Sequence, residues 1–195
     1  MALDLPAPPT DLNRRALKLA RVPGPLYRIQ PTGLPPLFFG KGTGRFNDPY
    51  AKFGVVYAAL SPEGAFAEVF FRNLSRLVIP EDSIRTSVLS VITLRRSLRC
   101  VDLSGSGLRS LSCDARIATE LPYSTTQAWS AALHTHPAKA DGLLYRSRHD
   151  PSQLCVAVFS RARKAMGRVQ SKSLLDEPLQ DWTTRMIELY GLALD

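Results

Sequence analysis

Short apolar runs alternate with long polar or glycine-rich stretches along this chain. Runs of four to seven mostly apolar residues predict strands at Leu26–Ile29, Gly54–Leu60, Gly142–Tyr145 and Cys155–Phe159. Segments 85–94 and 98–103 also fit strands. Gly54–Leu60 is apolar at almost every position, which indicates a strand covered on both faces. The chain should therefore contain a sheet with at least one fully buried strand.

The clearest helix signal follows that buried strand. Ser61–Glu63 supplies a capping hydroxyl, a proline for the first helical position and an acid near the positive helix end. We expect this helix to run to about Arg72, with Ala65, Glu68 and Phe71 at helical spacing.

Further helices are predicted at both ends and in the second half of the chain. They run from Thr10 or Asp11 to about Leu19, from Ser124 or Thr125 to about His134, and from Asp181 with Trp182, Met186, Leu189 and Tyr190 on one face. Residues 1–20 would form an arm and a short helix, and residues 21–195 a single domain. The mixture predicts an α+β fold, with central antiparallel or mixed sheets flanked by helices.

A long irregular stretch from Gln30 to Tyr50 is rich in proline and glycine, and loops of this length are usually functional or disordered. Its aromatic residues Phe38, Phe39 and Phe46 favour an ordered loop lying over a site. The run Gly40–Gly44 lacks the spacing of a nucleotide P-loop, so we interpret it as a flexible loop with several positive φ angles.

Length and composition exclude several protein classes. The 195 residues, 45% hydrophobic and 22% charged, are typical of a globular domain. No apolar run is long enough to cross a bilayer, and the first residues lack the features of a secretory signal. The cysteines Cys100, Cys113 and Cys155 are odd in number and irregularly spaced, as in reduced cytosolic proteins. We expect a cytoplasmic protein with buried thiols and no membrane contact.

The chain is strongly basic, with 25 Lys and Arg against 17 Asp and Glu. Such a charge suits nucleic acid, an anionic metabolite or an acidic protein. The basic run Arg161–Lys172 is either a solvated turn between strands or a patch that contacts an acidic partner or nucleic acid. A non-enzymatic nucleic-acid-binding module is therefore one alternative, although no helix-turn-helix, zinc-finger or RNA-binding signature is present.

The sequence lacks the spacing of a metal site and the motif of an activated serine nucleophile. His134, His136 and Cys113 lack the spacing of metal ligands, so we expect no metal and interpret the histidines as exposed at a helix end. A Gly-x-Ser-x-Gly nucleophile motif is also absent.

A lone acid among apolar residues is more informative. Glu68 lies in the run Ala65–Phe71, where a carboxylate is costly unless it is paired or functional. From the residues alone, Glu68 either forms a structural ion pair with Arg28 or Arg45, or acts in a site with them.

The order of several short motifs resembles the RES-domain family. These motifs are Tyr27-Arg28, Gly44-Arg45-Phe46-Asn47, Val56-Tyr57-Ala58 with Ala67-Glu68, and the run from Asp141 to Ser147 (DGLLYRS). The resemblance covers a core of about 24–160. The Arg, Glu and Ser for which the family is named match Arg28 or Arg45, Glu68 and Ser147.

The resemblance implies a fold similar to that of ADP-ribosyltransferase toxins, with NAD as substrate. It implies a toxin that degrades NAD by hydrolysis or phosphorolysis, or alternatively ADP-ribosylates a protein target. Its partner would be an antitoxin with a helix-turn-helix domain that covers the active site, so that DNA is met only indirectly.

The same resemblance suggests roles for individual residues. Glu68, Arg28 and Ser147 would be catalytic, with Glu68 stabilising the positively charged sugar of the transition state. Arginines would bind the diphosphate, aromatic rings would stack on nicotinamide or ribose, and hydroxyl or amide groups would contact the sugar. The NAD-binding set is Arg28, Arg45, Tyr57, Tyr27, Ser147 and Asn47.

Overall fold

The structure, a computed structural model, describes residues 4–71 and 77–195. The strands are β1 (Leu19–Val22), β2 (Leu26–Pro31), β3 (Val55–Ala59), β4 (Val78–Ile79), β5 (Ser87–Leu94), β6 (Leu98–Leu103), β7 (Gly142–Arg146), β8 (Leu154–Phe159), β9 (Met166–Ser173) and β10 (Ala193–Leu194). The helices are α1 (Pro62–Phe70), α2 (Glu81–Arg85), α3 (Gly105–Ser110), α4 (Ser124–Thr135) and α5 (Leu179–Leu189).

Eight strands form one mixed sheet in the order β1-β6-β7-β8-β3-β2-β5-β9. Its strands pair antiparallel except for β6 and β7, which run parallel. Strands β4 and β10 form a small parallel pair. Two apolar clusters cover the main sheet, because successive side chains of β3 alternate between them: Val55 and Ala59 belong to one cluster, and Val56 and Ala58 to the other. The predicted α+β fold with a mixed sheet flanked by helices is confirmed.

The sheet opens between β2 and β3. These strands share only the pair Tyr27↔Ala59, whereas β3 pairs with β8 over five positions and β2 pairs with β5 over six. Beyond Tyr27 the two strands separate, and the loop after β2 returns to bridge Gly40 with Val55. This divergence creates the gap that holds the candidate site.

Local sequence signals correctly predicted strand β3 and the start of helix α1, the two elements next to this gap. Strand β3 is buried at four of its five positions, as its continuous apolar run predicts. Helix α1 begins at Pro62, and the Ser61 hydroxyl accepts a hydrogen bond from the Gly64 amide at 3.0 Å. The helix ends at Phe70 in the described part of the chain, and Arg72, its expected end, lies outside the described residues.

Two predicted helices differ from the structure. The N-terminal helix is wrong: residues Leu12–Arg14 form a single 3₁₀ turn, and Leu19 lies in β1, where it pairs with Val101. The C-terminal helix exists but begins at Leu179, and Leu189 is 67% exposed instead of packing on the apolar face. In the first case, pairing with a strand distant in sequence outweighs a weak helical pattern.

The basic run also differs from the predicted solvated turn. Its first part belongs to a 3₁₀ helix, Ser160–Ala165, and the remainder is β9, an edge strand paired with β5. Arg168, Gln170 and Lys172 alternate along β9 and are exposed, because alternate side chains of a strand point to the same face of the sheet.

The expectation of two exposed histidines is wrong. His136 is 6% exposed, and its Nδ1 accepts a hydrogen bond from the Ala138 amide at 3.0 Å. The His134 ring stacks on Phe53 with 3.8 Å between ring centroids. The cysteines are buried, as expected. Among the helices described, none combines the length and the apolar character needed to traverse a lipid bilayer.

Candidate active site

A cleft of about 440 Å³ opens where β2 and β3 diverge, next to α1. It is lined by aromatic, charged and small side chains from six parts of the chain. These residues are Tyr27, Arg28, Ile29, Gly44, Arg45, Tyr57, Ala58, Ala59, Ala65, Glu68, Val69, Ala118, Tyr123, Tyr145, Arg148 and His149. Among the described residues, no group of three or more His, Cys, Asp or Glu side chains is placed to hold a metal ion.

Glu68 brings a carboxylate to the cleft from α1. Ala65, one turn earlier on the helix, also lines the cleft, so this helix face points into it. Burial raises the pKa of the Tyr57 and Tyr145 hydroxyls, and the negative charge of Glu68 raises both further. Glu68 is therefore within electrostatic reach of two tyrosines on neighbouring parts of the sheet.

Arg45 brings a buried cation to the same cleft. The side chain is 8% exposed, and its Nη1 donates to the Glu120 carbonyl at 2.9 Å. Its guanidinium carbon lies 4.5 Å from the centre of the Tyr123 ring. The Nη2 atom is buried without a hydrogen-bond partner. A buried donor of this kind is costly until an acceptor reaches it.

Burial lowers the pKa of Arg45, and the positive charge of Arg148 lowers it further, while Glu68 opposes this effect. Two arginines therefore repel each other at this cleft. An anion placed between them would relieve the repulsion and accept from the Arg45 Nη2.

Arg28 anchors the loop that follows its own strand. Its Nη1 donates to the carbonyls of Pro36 and Phe38, at 3.0 and 3.4 Å. Burial lowers the pKa of this guanidinium. Arg28 thus lines the cleft and also fixes the loop beside it.

Tyr57 fixes the glycine-rich loop from the sheet side. Its hydroxyl donates to the Asn47 Oδ1 at 2.7 Å and accepts from the Phe46 amide at 2.8 Å. A Cβ on Gly44 would lie 2.5 Å from the Asn47 Oδ1 and 2.7 Å from the Tyr57 oxygen. Gly44 is therefore required by this close approach. The expectation of several positive φ angles is wrong, because of the three glycines in this loop only Gly42, at 98°, has one.

Helix α4 clamps the same loop from the other side. Gln127 Nε2 donates to the carbonyls of Gly42 and Gly44, each at 3.0 Å. The Thr126 hydroxyl donates to the Arg45 carbonyl at 3.0 Å. The loop is consequently ordered by contacts on both sides, as its aromatic residues predicted.

Ser147 shapes the turn that follows β7. Its hydroxyl is buried with the residue, which is 2% exposed, and accepts from the amides of His149 and Asp150 at 3.1 and 3.3 Å. This arrangement holds Arg148 and His149 at the cleft.

The structure brings most of the expected site residues together. Tyr27, Arg28, Arg45, Tyr57 and Glu68 all line the cleft. Asn47 and Ser147 do not; they are buried beside it and position its lining residues. Their direct contact with a ligand stays a prediction.

Sequence reasoning missed four polar or aromatic lining residues: Tyr123, Tyr145, Arg148 and His149. The sequence offered a signal for two of them: Tyr145 belongs to the DGLLYRS motif, and Arg148 directly follows that motif. Tyr123 gave no comparable signal, since it precedes α4 in an irregular segment.

Comparisons with known proteins bear on this arrangement. A family model described as the RES domain matches residues 18–183. Among solved structures, the crystal structure of the M. tuberculosis MbcT–MbcA toxin–antitoxin complex aligns with a TM-score of 0.58 and 16% sequence identity, covering 90% of this chain and 88% of that chain. That likeness shows a shared fold. No curated protein matches the chain.

Proposed function

Because this chain belongs to the RES-domain family, we propose that it binds NAD in the cleft and cleaves the bond between nicotinamide and ribose. One observation carries the proposal: Glu68 and the partnerless Nη2 of Arg45 share a cleft lined by four tyrosines. This combination suits a ligand that has an anionic centre, flat rings and a sugar whose positive charge grows during reaction.

Arg45 and Arg148 would bind the diphosphate of NAD. Both line the cleft, and Arg45 has a buried donor available for a phosphate oxygen. The guanidinium fork can hold two oxygens at once, which a lysine ammonium cannot do with the same geometry. Arg28 would contribute charge while it holds the loop at Pro36 and Phe38.

Glu68 would stabilise the transition state. When the bond between C1′ of the ribose and the nicotinamide nitrogen breaks, nicotinamide leaves with the electron pair and positive charge develops on the ribose. A fixed carboxylate lowers the energy of that state, or grips a ribose hydroxyl that strengthens its hydrogen bond there. Water or phosphate then attacks C1′ and loses a proton to solvent. The rings of Tyr27 and Tyr57 would stack on nicotinamide or ribose.

The same cleft chemistry would also support ADP-ribosylation of a protein. In that reaction a side chain of the target protein replaces water as the nucleophile. The bond that breaks is identical, so Glu68 and the arginines keep their roles. Only the product distinguishes NAD degradation from ADP-ribosylation of a protein.

The fold that this chain shares with a toxin crystallised in a toxin–antitoxin complex supports a proposed role as a toxin. We propose that this chain arrests bacterial growth by consuming NAD in the cytoplasm, and that a cognate antitoxin neutralises it. We expect that partner to carry a helix-turn-helix domain and to present acidic groups over the arginine-lined cleft.

Product analysis tests the proposal. Purified protein is incubated with NAD, with and without phosphate, and nicotinamide and the ribosyl product are separated by chromatography. A lysate with tagged NAD is run in parallel. We expect nicotinamide release that Glu68→Gln abolishes and that Glu188→Gln, an exposed carboxylate on α5, leaves intact. Release without phosphate indicates hydrolysis, and labelled lysate proteins indicate transfer. No release and no labelling would refute the proposed function.

A further inference from the structure

A second charged feature lies at the other end of the sheet. Arg21 on β1 pairs directly with Arg99 on β6, and the Asp141 amide, just before β7, donates to the Arg99 carbonyl at 2.8 Å. The Phe159 amide at the end of β8 donates to the Asp141 carbonyl at 2.9 Å. These four adjacent strands therefore meet at one level of the sheet.

Exposed cations occupy this level and the turns just beyond it. We call them the cationic row: Arg21, Arg96, Arg99, Lys139 and Arg161. Three strand spacings separate β1 from β8, so the row extends over about 14 Å.

Nearby acids neutralise the row only in part. Asp141 is 6% exposed, and its carboxylate accepts from Arg96 at 2.6 and 2.8 Å and from the Arg99 amide at 2.8 Å. Asp48, a carboxylate that acts on His134, is 2% exposed. Among the described residues, no side-chain ion pair involves Arg21, Arg99, Lys139 or Arg161, which leaves an excess of positive charge at the surface.

The His134 side chain is affected by the positive charge of two residues of the row. Burial, together with the charges of Arg161 and Lys139, lowers the pKa of His134 to about 4. The ring is consequently neutral at physiological pH, and its Nε2 accepts from the Arg161 Nε at 3.3 Å. It adds no charge of its own to the row.

Arg21 and Arg99 stand directly opposite each other in the sheet. Like charges directly opposite in an antiparallel pair destabilise a sheet. An anion seated between the two guanidinium groups would remove that repulsion, and phosphate oxygens match their planar forks.

We propose that the cationic row binds the phosphate backbone of nucleic acid. Arg21 and Arg99 lie on adjacent strands, and Arg96, Lys139 and Arg161 lie just beyond the strand ends, so the cations line one end of the sheet, which suits a backbone that carries successive charges. Protein interfaces are usually centred on large apolar anchors, whereas the row consists of five cations. The recognition is expected to be independent of sequence, because none of the described elements at the row is shaped to enter a groove.

The row is separate from the candidate active site. Strand β7 begins at Gly142, next to the row, and ends at Arg146, beside the turn that carries Arg148 to the cleft. Its five residues span about 13 Å. This inference therefore goes beyond the proposed function and departs from the expectation that the protein meets DNA only through an antitoxin.

Fluorescence anisotropy tests the inference with the full chain and two labelled 20-base-pair DNA duplexes of unrelated sequence, over a range of salt concentrations. We expect similar affinity for both, with the logarithm of affinity falling linearly with the logarithm of salt. Arg21→Gln/Arg99→Gln/Lys139→Gln should flatten that slope by about 0.9 for each phosphate that the protein no longer neutralises. The control Arg109→Gln/Lys172→Gln/Arg185→Gln makes the same charge change at exposed positions elsewhere, and should leave the slope nearly unchanged.

Two results would overturn the inference. One is an equal decrease of slope in both triple variants, which would show that only net charge matters. The other is binding of polyglutamate, but not DNA, that the row variant abolishes, which would assign the row to an acidic protein. Thermal melts check that both variants fold. NAD cleavage is measured beside the titration and should be unaffected by the row variant, so a failed inference is separable from a failed activity.

Discussion

The hydroxyl of Tyr57 on β3 donates to the Oδ1 of Asn47 across 2.7 Å and thereby ties the glycine-rich loop to the sheet. The Phe46 amide donates to the same hydroxyl. Arg45 lies between Gly44 and Phe46, so this network sets where its backbone runs. The position of the buried guanidinium therefore depends on the hydroxyl oxygen of Tyr57.

Tyr57→Phe should reveal this dependence. Removing the hydroxyl leaves the Asn47 oxygen and the Phe46 amide without that partner, which should lower the free energy of unfolding by about 1–3 kcal/mol. KM for NAD should rise more than kcat falls, because the ring remains while the arginine loop loosens. Denaturant unfolding and steady-state kinetics measure both. Unchanged stability would contradict the role assigned to the hydroxyl.

Glu68→Gln should fold normally and lose activity by about 10²-fold or more, the scale of one lost electrostatic stabiliser. If Glu68 instead serves mainly as a buried structural partner, the variant should be destabilised by several kcal/mol. Thermal melts beside the nicotinamide assay separate the two effects. A folded variant with full activity would remove Glu68 from the mechanism.

Arg45→Lys keeps the charge but removes the fork. The variant loses the donor to the Glu120 carbonyl and the stacking on Tyr123. We expect KM for NAD to rise about tenfold or more, consistent with losing a hydrogen bond to a charged group. Arg148→Lys should act in the same direction, and Arg185→Lys on α5 serves as the control. If KM is unaffected in both cleft variants, the diphosphate binds elsewhere.

Ser147→Ala should act through the turn that Ser147 holds. Loss of an acceptor for the His149 and Asp150 amides should lower stability by about 1 kcal/mol. Because Arg148 and His149 are then less well placed, KM should rise while kcat falls far less than in Glu68→Gln. A large loss of kcat with unchanged stability would instead show that the hydroxyl touches NAD in the transition state.

His134 should affect stability at acid pH. Burial lowers its pKa from 6.5 to about 4 in the folded chain, so the unfolded chain binds a proton at a higher pH than the folded chain. Its contribution is fully present above pH 6.5 and is lost as the pH falls from 6.5 towards 4. His134→Gln should flatten the pH dependence of unfolding in this window. Titration of the ring by NMR measures the pKa directly, and a value near 6.5 would contradict the structure.

Predictions from the sequence succeeded where local signals and tertiary demands agree. The run Gly54–Leu60 is apolar enough to be buried on both faces, and Ser61–Glu63 caps the next helix, so β3 and α1 were placed correctly. They failed where distant partners decide: Leu19 follows a weak helical pattern but pairs with Val101. Strand β9 is polar on its exposed positions, and only its pairing with β5 makes it a strand.

The residues of the candidate site were also predictable from the sequence only in part. Glu68 is visible in the sequence because a lone acid among apolar residues is costly. Arg148 directly follows the DGLLYRS motif, but an arginine in a loop is usually solvated, and only the turn held by Ser147 brings it to the cleft. Asn47 and Ser147 were assigned as direct contacts from their place in the motifs; the structure buries both beside the cleft, and their contact with NAD stays a prediction.

The single shared pair between β2 and β3, Tyr27↔Ala59, gives the main sheet two internal edges as well as its two outer ones. Beyond that pair, backbone amides and carbonyls on each branch of the fork lack the neighbouring strand that would satisfy them in a closed sheet. The loop residue Gly40 pairs with Val55 and satisfies some of these backbone groups. The main chain of the fork is thus itself a source of donors and acceptors for a bound molecule, and apart from a change to proline, which removes an amide hydrogen, no substitution abolishes them.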